Sequence, residues 1–147
     1  FRAIGLGLMS KITVNAFNRL ISEGIPLAAE SAVCAEHLGD GEARLRLPYQ
    51  ESAIRPGGTI SGPHMMLLAD ACMYAVVMSL IGEVALAVTT NLNINFLQKP
   101  SNTDLVAEGR IIKLGKRLAV IEVSITSADS GNLVAHATGT YSIPPEI

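Results

Sequence analysis

Between residues 55 and 81 a glycine-rich turn, RPGGTISG, runs into PHMMLLADACMYAVVMSLI, an almost wholly apolar segment with one carboxylate, Asp70. Burying an ionised carboxylate without partners costs several kcal/mol or more, so such a group is mostly exposed, paired or functional. Asp70 is therefore read as a site residue. The alternative is a structural acid that accepts hydrogen bonds from a strand or from a second chain. Met, Leu and Ala favour a helix here, and Gly62-Pro63 supplies its start, because the missing N–H of proline costs nothing at the first helical position. Gly82 supplies the stop. Between Pro63 and Ile81 only His64, Asp70, Cys72, Tyr74 and Ser79 carry polar atoms, so the helix has no wide solvated face and must be buried. At about 19 residues it is long enough to raise the question of a membrane span. Asp70 near its middle and the strand-like sequence after it predict instead a core helix wrapped by a sheet.

The 147 residues, 49% of them hydrophobic, suit one domain with a sizeable core. A net charge of -2 without a basic run leaves no electrostatic footprint for nucleic acid. Cys34 and Cys72 lie in apolar runs without CxxC spacing, which points to packed thiols in a reducing, cytoplasmic setting and to no metal site. The opening FRAIGLGLMS has too short an apolar stretch for a secretory signal. Met9 is read as the natural start, residues 1–8 are set aside as vector-derived, and residues 9–147 are expected to form the single domain.

Apolar residues recur at helical spacing over residues 12–23 (Val14, Phe17, Leu20, Ile21), and Gly24 with Pro26 ends the pattern. Residues 31–38 and 42–47 flank the turn cluster Gly39-Asp40-Gly41, and the second run alternates as a half-buried strand should, which predicts a hairpin. Residues 48–62 form the loop into the apolar helix. Four further strands are expected at 86–97, 104–114, 118–126 and 133–142, separated by short turn signals, and short connections predict an antiparallel meander.

Gly62 and Asp70 are eight residues apart, or about 12 Å along a helix axis, so one acyl group cannot touch both within a chain. Each nevertheless has a plausible role. A helix N-terminus with a free N–H stabilises a developing oxyanion, and a carboxylate acts as general base or nucleophile. An antiparallel two-fold dimer would bring Asp70 of one chain near Gly62 of the other.

Several motifs then resemble the hotdog-fold acyl-CoA thioesterases, in particular the phenylacetate-pathway, PaaI-like clade. Ser61-Gly62-Pro63 followed by Leu68-Ala69-Asp70 is similar to that clade's HGG turn and LAD helix. Asn93-Ile94-Asn95-Phe96-Leu97 with Pro100 resembles its NINFLRP strand. Residues 114–120, LGKRLAV, resemble its GRRVA-like hairpin, and residues 131–138, GNLVAHAT, its G-x-LVA-x-AT strand. The resemblance implies an α+β hotdog fold, a curved antiparallel sheet around a long central helix, and hydrolysis of acyl-CoA thioesters in a homodimer or dimer of dimers. It implies no cofactor beyond the coenzyme A of the substrate. Asp70 would be base or nucleophile, the Gly62 N–H would polarise the thioester carbonyl, and Thr89 or its neighbour Thr90 would position water. Lys116 and Arg117 would meet the coenzyme A phosphates, as cations suit anionic groups.

The chain departs from the motif where the clade's His is Ser61, its second Gly is Pro63 and its upstream Asn is Arg55. Arg55, Ser61 and the newly placed His64 are thus expected beside the substrate, with His64 about 240° around the helix from Asp70. Plainer roles stand alongside: His64 as a helix-start residue at a dimer interface, Met65, Met66 and Met73 as core filler, Lys116-Arg117 as a solvated turn, and the threonines as strand formers. The alternative functions are a non-catalytic acyl-CoA-binding protein and a hotdog dehydratase or hydratase. The last is disfavoured because residues 48–63 contain no His.

Overall fold

A computed structural model describes residues 9–145, so the vector-derived reading of residues 1–8 lies outside the described residues. The apolar segment is helix α3 (Gly62–Ile81). The side chain of Ser61 caps it by accepting from the His64 N–H, with Pro63 in the first turn. Gly82, at φ 85°, closes it with its N–H on the Met78 carbonyl at 2.9 Å. The helix is long and apolar enough to cross a bilayer by composition. It is instead the core of a curved antiparallel sheet, and half of its 20 residues are buried.

The sheet contains β1 (Cys34–Gly39), β2 (Glu42–Leu47), β3 (Val88–Phe96), β4 (Leu105–Leu114), β5 (Leu118–Ser127) and β6 (Leu133–Ser142). Alternation sends Leu45 and Leu47, Leu105 and Ala107, Ile121, Val123 and Ile125, and Ala135 and Ala137 inward onto α3. Two inward glycines set how closely helix and sheet approach. A Cβ at Gly109 would lie 2.8 Å from Cys72 Sγ, and one at Gly139 would lie 2.5 Å from Met73 Sδ. This is the hotdog architecture, and it agrees with the expected α+β class.

Strand order corrects the expected meander. The sheet runs β1-β2-β4-β5-β6-β3, so of the four strands after α3 only β4, β5 and β6 follow one another in space. β3 pairs with β6 and forms an edge, separated from β4 by two strands. The connection over residues 97–104 crosses about 14 Å at the usual strand spacing, within reach of eight residues. On its way it is fastened to the β5–β6 turn by Ser101 Oγ donating to Asp129 Oδ1 at 2.8 Å and by the Ala128 N–H on the Asp104 carbonyl at 2.9 Å. In the chain as it stands, β3 is the least buried strand.

The first helix, α1 (Val14–Gly24), is capped by Thr13 and buries Phe17 and Ile21. A second helix, α2 (Pro26–Ser31), follows at once where the sequence predicted only a stop. Pro26 ends one helix and, as a first-turn residue, starts the next, and Ala32 in the left-handed region (φ 60°) ends it. Residues 31–33, expected in the first hairpin strand, are therefore helix end and turn. Asn18 of α1 reaches the backbone of Ala35, beside the bulge in β1, with both its amide groups (2.7 and 3.1 Å), tying α1 to the sheet. The loop before α3 contains a single 3-10 turn (Glu51–Ala53) and a bridge between Ile54 and Ile60.

Candidate active site

Asp70 lies on the one stripe of α3 that its own sheet does not cover, where Pro63 and Met66 are exposed and Leu67, Asp70, Ala71 and Tyr74 are half-buried. The carboxylate, expected to be deeply buried, is thus half-buried. Thr89 on β3 and Tyr141 on β6 are register partners, which places their side chains together over α3. Thr89 Oγ1 donates to Asp70 Oδ1 at 2.6 Å, and the Tyr141 hydroxyl donates to the same oxygen at 2.8 Å and lies 3.1 Å from the Asp70 carbonyl. Among the described residues nothing hydrogen-bonds Oδ2. One carboxylate oxygen is therefore fixed and the other is open to a reactant.

Tyr141 is 2% exposed. Burial, with the Asp70 charge adding to it, pushes its phenol well above its ordinary pKa, so it stays protonated and donates. Its ring stacks on Tyr74 (centroids 6.0 Å apart), whose hydroxyl donates to the Ala85 carbonyl at 3.1 Å. Sequence reasoning missed Tyr141. The usable signal was the inward parity of β6: Ala135, Ala137 and Gly139 are small where α3 lies close, and the next inward position is a large residue with a polar tip. Beside the carboxylate opens a cavity of about 480 Å³ whose walls are mainly apolar side chains of α1, α2, α3 and the segment before β3.

At the other end of the uncovered stripe, Ser61 Oγ and His64 Nδ1 are 2.6 Å apart, so these two predicted residues engage each other. The Gly62 N–H between them donates to nothing among the described residues, as the first amides of a helix do. A Cβ at Gly62 would lie 3.3 Å from Phe96 Cζ, so a glycine lets the end of β3 pack onto the helix start. Gly62 and Asp70 remain about 12 Å apart along the axis.

The other predicted residues fall elsewhere. Thr90 sits at the β3 bulge and donates to the Thr140 carbonyl at 3.1 Å, apart from the Thr89 hydroxyl on Asp70. Lys116 and Arg117 are exposed in the β4–β5 turn. Ala119, Tyr141 and Thr89 form one row across β5, β6 and β3, so that turn projects from the same end of the sheet, about 10 Å to the side of Thr89. Arg117 Nε donates to the Ile143 carbonyl at 3.3 Å. Arg55 is exposed in a tight turn, with its N–H on the Thr59 carbonyl at 2.8 Å and with Gly57 and Gly58 at positive φ. No cluster of three or more potential metal ligands occurs among the described residues.

The sequence matches the thioesterase superfamily profile over residues 57–134. It is 36% identical over 107 residues to a protein of Saccharolobus solfataricus that carries an esterase name, covering 72% of this chain and 69% of that one. A crystal structure from Silicibacter sp. TM1040 described as a thioesterase is 40% identical, with a TM-score of 0.84 and coverage of 95% of this chain and 97% of that one. A Streptococcus pneumoniae structure described as a thioesterase protein with coenzyme A is 26% identical, with a TM-score of 0.70 over 78% of this chain and 87% of that one.

Proposed function

The chain belongs to the thioesterase superfamily, and on that premise we propose that it hydrolyses acyl-CoA thioesters to free acid and coenzyme A as a PaaI-like member. The observation that carries this reading is the Asp70 carboxylate, with Oδ1 held by Thr89 and Tyr141 and Oδ2 open beside an apolar cavity. The four motifs in order support the clade, and the coenzyme A in the Streptococcus pneumoniae structure supports the leaving group.

As a base, Asp70 takes a proton from water while the water oxygen bonds to the thioester carbon. The resulting oxyanion rests on a Gly62 N–H at the positive end of α3. The C–S bond then breaks, the thiolate takes the proton from Asp70, and acid and thiol leave. As a nucleophile, Asp70 Oδ2 attacks the carbon itself, the thiolate departs with a proton from solvent, and water cleaves the mixed anhydride. Thr89 and Tyr141 hold the carboxylate in place on either route, and Lys116 and Arg117, exposed in the β4–β5 turn, would meet the phosphates of the leaving group.

The working unit in this reading is a homodimer or dimer of dimers, each site joining Asp70 of one subunit to Gly62 of the other. The uncovered stripe of α3 supports it, as do the open edge of β3 and the half-exposed Val88 and Phe96. The free thiols Cys34 and Cys72 support a cytoplasmic setting. Release of free thiol from a panel of acyl-CoAs tests the activity. Binding of acyl-CoA without release would make the protein a carrier instead.

A further inference from the structure

The cavity beside Asp70 combines a few polar groups with a mainly apolar lining. Asp70, Thr89 and Tyr141 supply polar groups, and among the described residues of the chain no Lys, Arg or His lines it. The far wall is the elbow between α1 and α2, with Leu20, Ile21, Gly24, Ile25 and Ala28 facing Leu67 and Ala71 of α3. Its volume, about 480 Å³, is in the range of small-molecule sites. Building on the thioesterase reading, we propose that this elbow is the acyl-size gate of the enzyme, that the cavity accepts uncharged hydrocarbon acyl groups, and that Gly24 sets how large they can be.

Three observations carry this. Asp70 is the one carboxylate among the described residues that line the cavity, so an acyl group whose carbonyl reaches Asp70 extends into it. A charged acyl tail would enter a wall without a countercharge, beside a carboxylate, and would lose its hydration with nothing in return. Ile25, which lines the cavity, is 39% exposed, apolar surface that a hydrocarbon would cover. Gly24 lines the cavity, an added Cβ there meets nothing within 4 Å and the backbone is not at positive φ, so a larger side chain can be placed at this wall without disturbing packed neighbours.

The test compares Gly24→Leu with the unaltered protein, each as the full chain, on straight-chain acyl-CoAs from acetyl to dodecanoyl and on succinyl-CoA. The ratio of kcat/KM for the longest good substrate to that for the shortest should fall at least tenfold in the variant, and succinyl-CoA should be poorer than butanoyl-CoA by a similar factor. In parallel, Kd values are measured by calorimetry for non-hydrolysable acyl-CoA thioethers of the same lengths. The ratio of long-chain to short-chain Kd should rise at least tenfold in Gly24→Leu. Thioester hydrolysis with an unchanged length profile overturns the gate and leaves the thioesterase reading intact. Absence of hydrolysis by the unaltered protein removes that reading, and the thioether Kd ratio then decides the gate by itself. A change of sedimentation mass in Gly24→Leu without a change in either ratio identifies the elbow as a subunit contact and overturns the proposal.

Discussion

Replacing Asp70 by Asn separates chemistry from architecture, because an amide keeps the shape and an acceptor oxygen but loses the basic electron pair. Thr89 and Tyr141 both donate to Oδ1, and the Asn oxygen can occupy that position, so both bonds survive as neutral ones. A hydrogen bond to a charged group contributes about 1.5–3 kcal/mol and a neutral one about 0.5–1.5 kcal/mol. The Thr89 bond is open to solvent and belongs at the low end of each range. The gross loss is therefore about 2 kcal/mol, offset in part because a half-buried carboxylate no longer has to shed water. The net cost is about 0–2 kcal/mol, or a fall in Tm of a few degrees for a chain of this size. Thioester hydrolysis should fall at least a hundredfold, about 2.7 kcal/mol in the barrier, the lower bound for losing a general base. Asp70→Ala should cost more stability than Asp70→Asn, since it removes the carboxylate oxygen that accepts from the buried Tyr141 hydroxyl. Thiol release read with a disulfide reagent, and Tm by calorimetry, supply both numbers. Hydrolysis by Asp70→Asn within threefold of the unaltered protein would refute the catalytic assignment. A collapse in Tm would make the carboxylate a structural acid.

Mixing a Gly62→Pro protein with an Asp70→Asn protein should restore activity, since a mixed dimer has one site with both groups intact. No recovery, after circular dichroism has shown that both fold, would place the site within one chain. Lys116→Ala with Arg117→Ala should raise KM several-fold more for acyl-CoA than for a thioester lacking the nucleotide, because phosphate contacts lie far from the reacting carbon. Equal effects on both substrates would make the turn merely structural. Tyr141 holds its proton in the folded chain above its ordinary pKa of 10.0, so its stabilisation is complete below that pH and is lost as pH rises beyond it toward the raised folded value. Tm measured from about pH 8 to about pH 11 should fall less steeply in Tyr141→Phe, and parallel curves would refute this account.

The helix and most strand boundaries were legible because local patterns carry them. The apolar run between Gly62 and Gly82 reads as one buried helix, and the alternation over residues 120–125 reads as a strand with one wetted face. Pairing between distant segments leaves no such local trace. β3 and β4 are adjacent in sequence with a short link, yet β3 joins β6, since that link crosses two strands. Helix α2 has six residues, too few for periodicity to show, and only Pro26 marks it. At the site, Asp70 stood out as the lone acid of an apolar helix, and Thr89 followed from the family resemblance. Tyr141 is 71 residues from Asp70 and looks like any strand tyrosine until register sets it opposite Thr89. A carboxylate buried without partners could be removed at no cost to stability, whereas that of Asp70 is compensated by two hydroxyls.

The two donors that hold Asp70 differ in how durably they are held. Tyr141 is on β6, which is flanked on both sides by β5 and β3, and its hydroxyl is shielded from water. Thr89 is on β3, paired on one side within the chain and next to a bulge. Segments with few buried contacts and solvent-exposed backbone open first in local unfolding. Fraying of β3 thus releases one donor while the core and the other donor stay in place, leaving Asp70 with Tyr141 alone. The Asp70 carboxylate is wired to the weakest seam of the sheet, so whatever covers the outer edge of β3 also governs how long the full constellation persists.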